Sequence, residues 1–288
     1  MTWLWLIVSM TASVTQGALM NRVSKTDGRT ASDLYFFNLL CNAAAMVCVL
    51  LYGGLQSVSP YTLLLGVAFG AATNLGGLYK ILALKCGPMC YTLLIISSSM
   101  LIPAFSGAIL WSEPLSALKI AGAACMMVSL ALSVEYRRGE KTSLRWFLLS
   151  MTSFLFCGSV GVMQKIFGHS AYAEEQGGFL CAAFLTATAF AAGNFAWSRC
   201  VRRVPCGAKL RASVLPALAT GVTIAAANII NLYLANAMPS IIFFPLFNGG
   251  VLLLSTAVAF VFFRERLKPV QTAGFCIGIA AVAILCLG

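Results

Sequence analysis

Apolar residues dominate this chain in long runs, broken by short polar joints. The runs fall at about 3–20, 33–53, 60–84, 88–111, 116–134, 145–166, 177–198, 213–236, 239–263 and 269–287. Each is close to the roughly 20 residues an α-helix needs to cross the hydrocarbon core of a bilayer. Only helices and closed barrels satisfy their backbone hydrogen bonds in lipid, and runs of this length predict helices. The expected fold is therefore an all-α polytopic membrane protein with ten transmembrane helices. The first run begins Met1-Thr2-Trp3-Leu4-Trp5, without a basic leader, so it reads as a span rather than a signal peptide.

A repeat divides the runs into two sets of five. Trp5, Ser9-Met10-Thr11 and Gly17 return as Trp146, Ser150-Met151-Thr152 and Gly158, at a constant offset of 141 residues. Asn74-x-x-x-Leu78-Tyr79 in span three returns as Asn228-x-x-x-Leu232-Tyr233 in span eight. Pro88 opens span four, with Glu113 and Gly122 after it; Pro239 opens span nine, with Glu265 and Gly274 after it. Residues 1–138 thus form one repeat and 139–288 the other. An odd number of spans per repeat turns the second repeat upside down relative to the first, an arrangement common among secondary transporters.

Composition and charge sharpen this picture. Of 288 residues, 60% are hydrophobic and 9% charged, against about a quarter charged in ordinary soluble domains. A net charge of +11 raises nucleic acid as a partner, but the basic residues lie in short joints and form no continuous basic surface, which argues against it. With ten alternating spans, 17 of the 19 Lys and Arg residues fall on one side. The other side holds only Lys119 and Lys165. By the positive-inside rule the basic side faces the cytoplasm, and both termini lie outside it.

With the repeat in view, Ile109-Leu110-Trp111-Ser112-Glu113-Pro114-Leu115, followed by Gly122, resembles the EamA-type signature of the drug/metabolite transporter superfamily. So does Phe262-Phe263-Arg264-Glu265-Arg266-Leu267-Lys268-Pro269, followed by Gln271 and Gly274. The resemblance covers essentially the whole chain. It implies ten helices around a central cavity, alternating access, and a solute such as an amino acid, nucleobase or other metabolite; the expected location is a cell inner membrane.

Several residues are candidates for chemistry. Asn74 and Asn228 lie near mid-span, where an unpaired amide is costly. Each either lines a wet cavity or ties helices together. Thr11, Gln16, Ser98, Asn231 and Asn248 are polar residues of the same kind. Tyr79 and Tyr233 either contact solute or anchor a helix near an interface. Glu113 and Glu265 fall at span ends, and the structural reading has each carboxylate beside the N-terminus of the next helix, satisfying its free N–H groups. Lys80, about one turn inside span three, is expected to snorkel, and His169 to be a solvated loop residue. Gly66-x-x-x-Gly70 and Gly274-x-x-x-Gly278 have the small-residue spacing of close helix packing, read here as packing within a monomer, with a weak homodimer as the alternative. No P-loop or nucleophile motif is present, so neither an enzyme nor a cofactor is expected. The leading expectation is a non-ATP carrier of a small polar metabolite. The alternatives are a flippase for a lipid-linked sugar and a non-transporting membrane scaffold.

Overall fold

A computed structural model describes residues 1–24, 31–53, 58–86, 89–133, 143–200, 214–262 and 269–287. Eleven α-helices run in the order α1 (Thr2–Ser24), α2 (Ala31–Gly53), α3 (Pro60–Cys86), α4 (Met89–Ser97), α5 (Leu101–Trp111), α6 (Ala117–Ser133), α7 (Leu144–Gly168), α8 (Gln176–Cys200), α9 (Val214–Ala237), α10 (Ser240–Phe262) and α11 (Pro269–Leu287). No strand occurs among the described residues. Among the described residues, nine stretches of helix are long and apolar enough to span a bilayer, and a shorter apolar helix, Ala117–Leu132, accompanies them. Large apolar side chains stand on the outside, among them Leu51, Leu64, Ile109, Leu215 and Leu287, each more than 70% exposed. Water would reject such a surface and lipid accepts it. The chain is a multi-pass integral membrane protein.

The ten expected spans correspond to these helices, with one departure. Span four is two α-helices joined by a 3-10 turn, Ser98–Met100. Pro103 lacks the N–H that would bond the Ser99 carbonyl one turn back, and the Ser97-Ser98-Ser99 run favours local side-chain bonds over the helical ladder. Ser98 Oγ donates to the Leu94 carbonyl at 2.7 Å.

Helices pack into two compact units, and each draws on both sequence repeats. The first comprises residues 1–74 and 167–233. In it α2 runs antiparallel to α8. Ser32 Oγ and Ser198 Oγ lie 2.8 Å apart at one end of the pair, and Gly53 meets Gly177 backbone to backbone at the other. Gly66 and Gly70 of α3 press on the Phe179 and Ala183 carbonyls of α8, leaving no room for a Cβ. This is close packing within the chain, as the small-residue spacing predicts. Gly221 of α9 packs in the same way on Cys41 and Ala44 of α2. Ser9 of α1 donates to Asn231 Oδ1 of α9 at 2.5 Å.

The second unit comprises residues 75–166 and 234–288. Here α6 runs antiparallel to α11. Gly122 sits against Leu285, and Ser129 Oγ donates to the Gly274 carbonyl at 2.7 Å. Gly158 and Gly161 of α7 accept Ile102 and Pro103 of α5, and Gly161 also meets Phe244 of α10. Ser153 of α7 donates to the Gly76 carbonyl of α3 at 2.8 Å. Trp146 Nε1 reaches Thr92 Oγ1 in α4 at 2.7 Å.

Candidate functional site

The mid-span amides bond to their own helices. Asn74 Nδ2 donates to the Gly70 carbonyl at 2.7 Å, Asn228 Nδ2 to Ile224 at 2.9 Å, and Asn248 Nδ2 to Phe244 at 2.9 Å. A bond to the carbonyl four residues back holds the side chain along the helix and leaves the amide oxygen pointing away from that bond. Asn74 and Asn228 are both half-buried, so a polar group reaching them would find an acceptor in place.

Other candidates divide by their contacts. Asn231 ties α9 to α1 through a hydrogen bond from Ser9. Thr11 is exposed and donates back to Val8. Gln16 reaches no further than the sulfur of Met20 at 4.0 Å. Tyr79 stacks on Phe156 with ring centroids 5.9 Å apart, whereas Tyr233 is exposed. His169 is exposed, as expected for a loop residue.

Among the signature residues, Gly122 and Gly274 are buried packing positions between α6 and α11. Pro239 supplies its carbonyl to the N–H groups of Ile242 and Phe243 at the start of α10. Pro88 and Glu265 lie outside the described residues, as do most of the basic joints.

Glu113 has richer surroundings than its sequence position suggests. After α5 ends at Trp111, Ser112 adopts a left-handed conformation (φ 52°, ψ 34°), and the Glu113 N–H closes back on the Gly107 carbonyl at 3.2 Å. By sequence the carboxylate belongs at the next helix in the chain, α6. It lies instead at the N-terminus of α10, accepting the Ser240 N–H at 2.7 Å through Oε2. A Cβ at position 107 would collide with this carboxylate and with Ser240, so glycine there makes the contact possible.

The second carboxylate oxygen, Oε1, pairs with Lys165 Nζ of α7. Lys165 is 1% exposed; its ammonium also donates to the Met238 carbonyl at 3.4 Å and lies 5.9 Å from the Trp111 ring centre. One carboxylate therefore clasps α5, α7 and α10. By sequence Lys165 is one of two basic residues on the sparse side, and its pairing with Glu113 comes from the structure alone. The available signal was a lysine inside an otherwise apolar run, since such a charge needs a partner. Lys119, the other basic residue of that side, is also buried.

Glu175 repeats the capping device in the first unit. It precedes α8 and accepts the Ser59 N–H and hydroxyl, both at 2.9 Å, at the start of α3. Hydrogen bonding from Thr62, and then from the Ser59 backbone, holds this carboxyl below the ordinary value of 4.5.

Neither a family model nor a curated protein matches this chain. A solved crystal structure of a protein superposes with a TM-score of 0.75 at 16% identity, over 98% of each chain. At that identity the likeness is one of fold.

Proposed function

We propose that this chain is a secondary, non-ATP transporter that moves a small neutral or zwitterionic polar metabolite by alternating access. In this reading it is a monomeric carrier of the drug/metabolite transporter kind in an inner membrane, with basic joints in the cytoplasm and both termini outside. The observation that carries it is the state of Asn74 and Asn228. Among the described residues, the two amides at these repeat-related positions hydrogen-bond within their own helices, so they are not consumed in holding helices together. Polar groups kept at that depth without a tying role are what a wet cavity requires.

The helix pairings support the inverted arrangement behind this mechanism. Exchanging the repeats turns the α1–α9 contact into the α7–α3 contact, and the α3–α8 contact into the α9–α2 contact. The α2–α8 and α6–α11 pairs map onto themselves. Two halves paired this way can rock about a shared site.

Asn74→Leu and Asn228→Leu test the reading. Leaving a hydrogen-bonding partner unpaired costs about 1–3 kcal/mol, or roughly five- to 150-fold in affinity. Solute affinity should fall by that factor while melting temperature holds. Wild-type affinity in both variants, with stability lowered by the ~0.6 kcal/mol typical of an interhelical tie, would remove these residues from the site.

A further inference from the structure

We propose that the seam between α3 and α7 holds a binding site for a small free anion, with Lys80 as its counter-charge, Ser150 as a hydroxyl donor and the space beside Gly77 as its seat. The site stands independently of the transport reading. Gly76 fixes the seam. Its carbonyl accepts Ser153 Oγ at 2.8 Å, and a Cβ on it would stand 3.0 Å from Cys157 Sγ. The start of α7 reaches α4 just beyond the end of α3, where Trp146 Nε1 meets Thr92 Oγ1 at 2.7 Å. The two helices are therefore antiparallel. Stepping back one turn on α7, from Ser153 to Ser150, steps forward one turn on α3, from Gly76 to Lys80.

At about 100° per residue, Lys80 lies about 40° round α3 from Gly76, and about 160° and 100° from Leu78 and Ile81. Those two are exposed apolar side chains, at 45% and 53%, so Lys80 sits on the α7 side of the helix rather than the lipid side. A long side chain on a helix leans toward the N-terminus. That carries the ammonium inward over Gly76 and Gly77 instead of out to the interface, and its charge acts on the thiol of Cys157. Among the described residues Lys80 makes no hydrogen bond or ion pair. Residues 75–111 and 143–168, which cover α4, α5, α7 and the second half of α3, contain no Asp or Glu. A charge inside a span without a counter-charge is costly.

Two further observations point to a ligand. Ser150 is 0% exposed, yet its Oγ has no hydrogen-bond partner, and a buried hydroxyl ordinarily has one. A Cβ at Gly77 would meet no atom within 4 Å, so the helix surface next to Lys80 is open. An unpaired ammonium and an unpaired hydroxyl share one remedy, an acceptor that carries negative charge. A neutral or cationic ligand leaves Lys80 uncompensated. Lys85 and Arg145, by sequence near the adjoining ends of α3 and α7, add the positive potential that draws an anion to this end.

The test is titration of the purified full chain in detergent with chloride, acetate and inorganic phosphate, at an ionic strength held constant with a bulky sulfonate buffer, read by calorimetry and melting temperature. At least one of the three should bind saturably. Lys80→Met should abolish that binding, and Ser150→Ala should weaken it about tenfold. Without anion, Ser150→Ala should melt no lower than wild type, because the hydroxyl it removes is unpaired. Gly77→Leu, whose side chain has room, should fold as wild type and block the anion. No saturable binding of any of the three overturns the proposal, as does binding that survives unchanged in Lys80→Met, Ser150→Ala or Gly77→Leu. Stabilisation by added phosphatidylglycerol but by none of the free anions would assign Lys80 to lipid phosphate and overturn it equally.

Discussion

Glu113→Gln separates a buried ion pair from an exposed helix cap, because the two predict different costs. A carboxylate that only caps a helix end at a solvated surface contributes about 0.3–1 kcal/mol. Here it also neutralises Lys165, whose side chain is 2% exposed against 15% for that of Glu113. Removing the negative charge takes from this ammonium its carboxylate partner; the Met238 carbonyl at 3.4 Å and the Trp111 ring are among the groups that stay beside it. Breaking a buried pair from one side costs about 3–5 kcal/mol. The converse variant, Lys165→Met, should cost less, about 1–3 kcal/mol, since Glu113 is the more exposed partner and keeps its bond to Ser240 N–H. Combining the two removes the lysine along with its carboxylate, so the double variant should lie within about 1 kcal/mol of Lys165→Met alone. Reversible unfolding in mixed micelles, followed by circular dichroism on all four proteins, gives the cycle. Simple additivity of the single changes, or a Glu113→Gln cost no larger than that of a surface cap, would refute the reasoning.

Three further outcomes are expected. Because the folded-state pKa of Glu175 is lowered from 4.5, its contribution is fully present above that value and is lost as pH falls through the folded pKa; a stability profile in acid should show that loss, and Glu175→Gln should flatten it. Gly177→Ala would drive a Cβ into the Gly53 backbone and should cost about 1–3 kcal/mol. Gly17→Ala, with open space around it, should be neutral or stabilise by up to ~1 kcal/mol, and equal effects of the two glycine changes would contradict the close α2–α8 approach. Reporter fusions at Gly288 should be active outside the cytoplasm and fusions near Arg138 inside it, and the reverse pattern would overturn the orientation.

Much of the fold was legible in the sequence because lipid imposes one requirement on every span. A run must be apolar and about 20 residues long, so helices such as Val214–Ala237 and Pro269–Leu287 could be bounded to within a residue or two. The 3-10 turn at Ser98–Met100 was not legible, because its cause is a backbone donor missing at Pro103 rather than a change in hydrophobicity. Small-residue spacing located Gly66 and Gly70 correctly as contact points, although their partner, α8, follows from the tertiary arrangement alone. The same limit explains Glu113. Its place at a helix end could be read from Trp111-Ser112-Glu113-Pro114, but the helix it caps and the lysine it pairs with are 127 and 52 residues away. Asn231 shows the opposite failure. By type and depth it resembles Asn74 and Asn228, and only the neighbouring Ser9 makes it a tie between helices.

The central claim is that this chain carries a small polar solute without ATP, and flux through the purified protein tests it most directly. Proteoliposomes containing wild-type protein should be loaded in turn with members of a library of neutral and zwitterionic metabolites and assayed for counterflow of the labelled compound, with no nucleotide present. The account predicts saturable counterflow for at least one compound, reduced in Asn74→Leu and Asn228→Leu vesicles and absent from protein-free ones. Folded, correctly inserted protein that exchanges no member of the library faster than protein-free vesicles would contradict it.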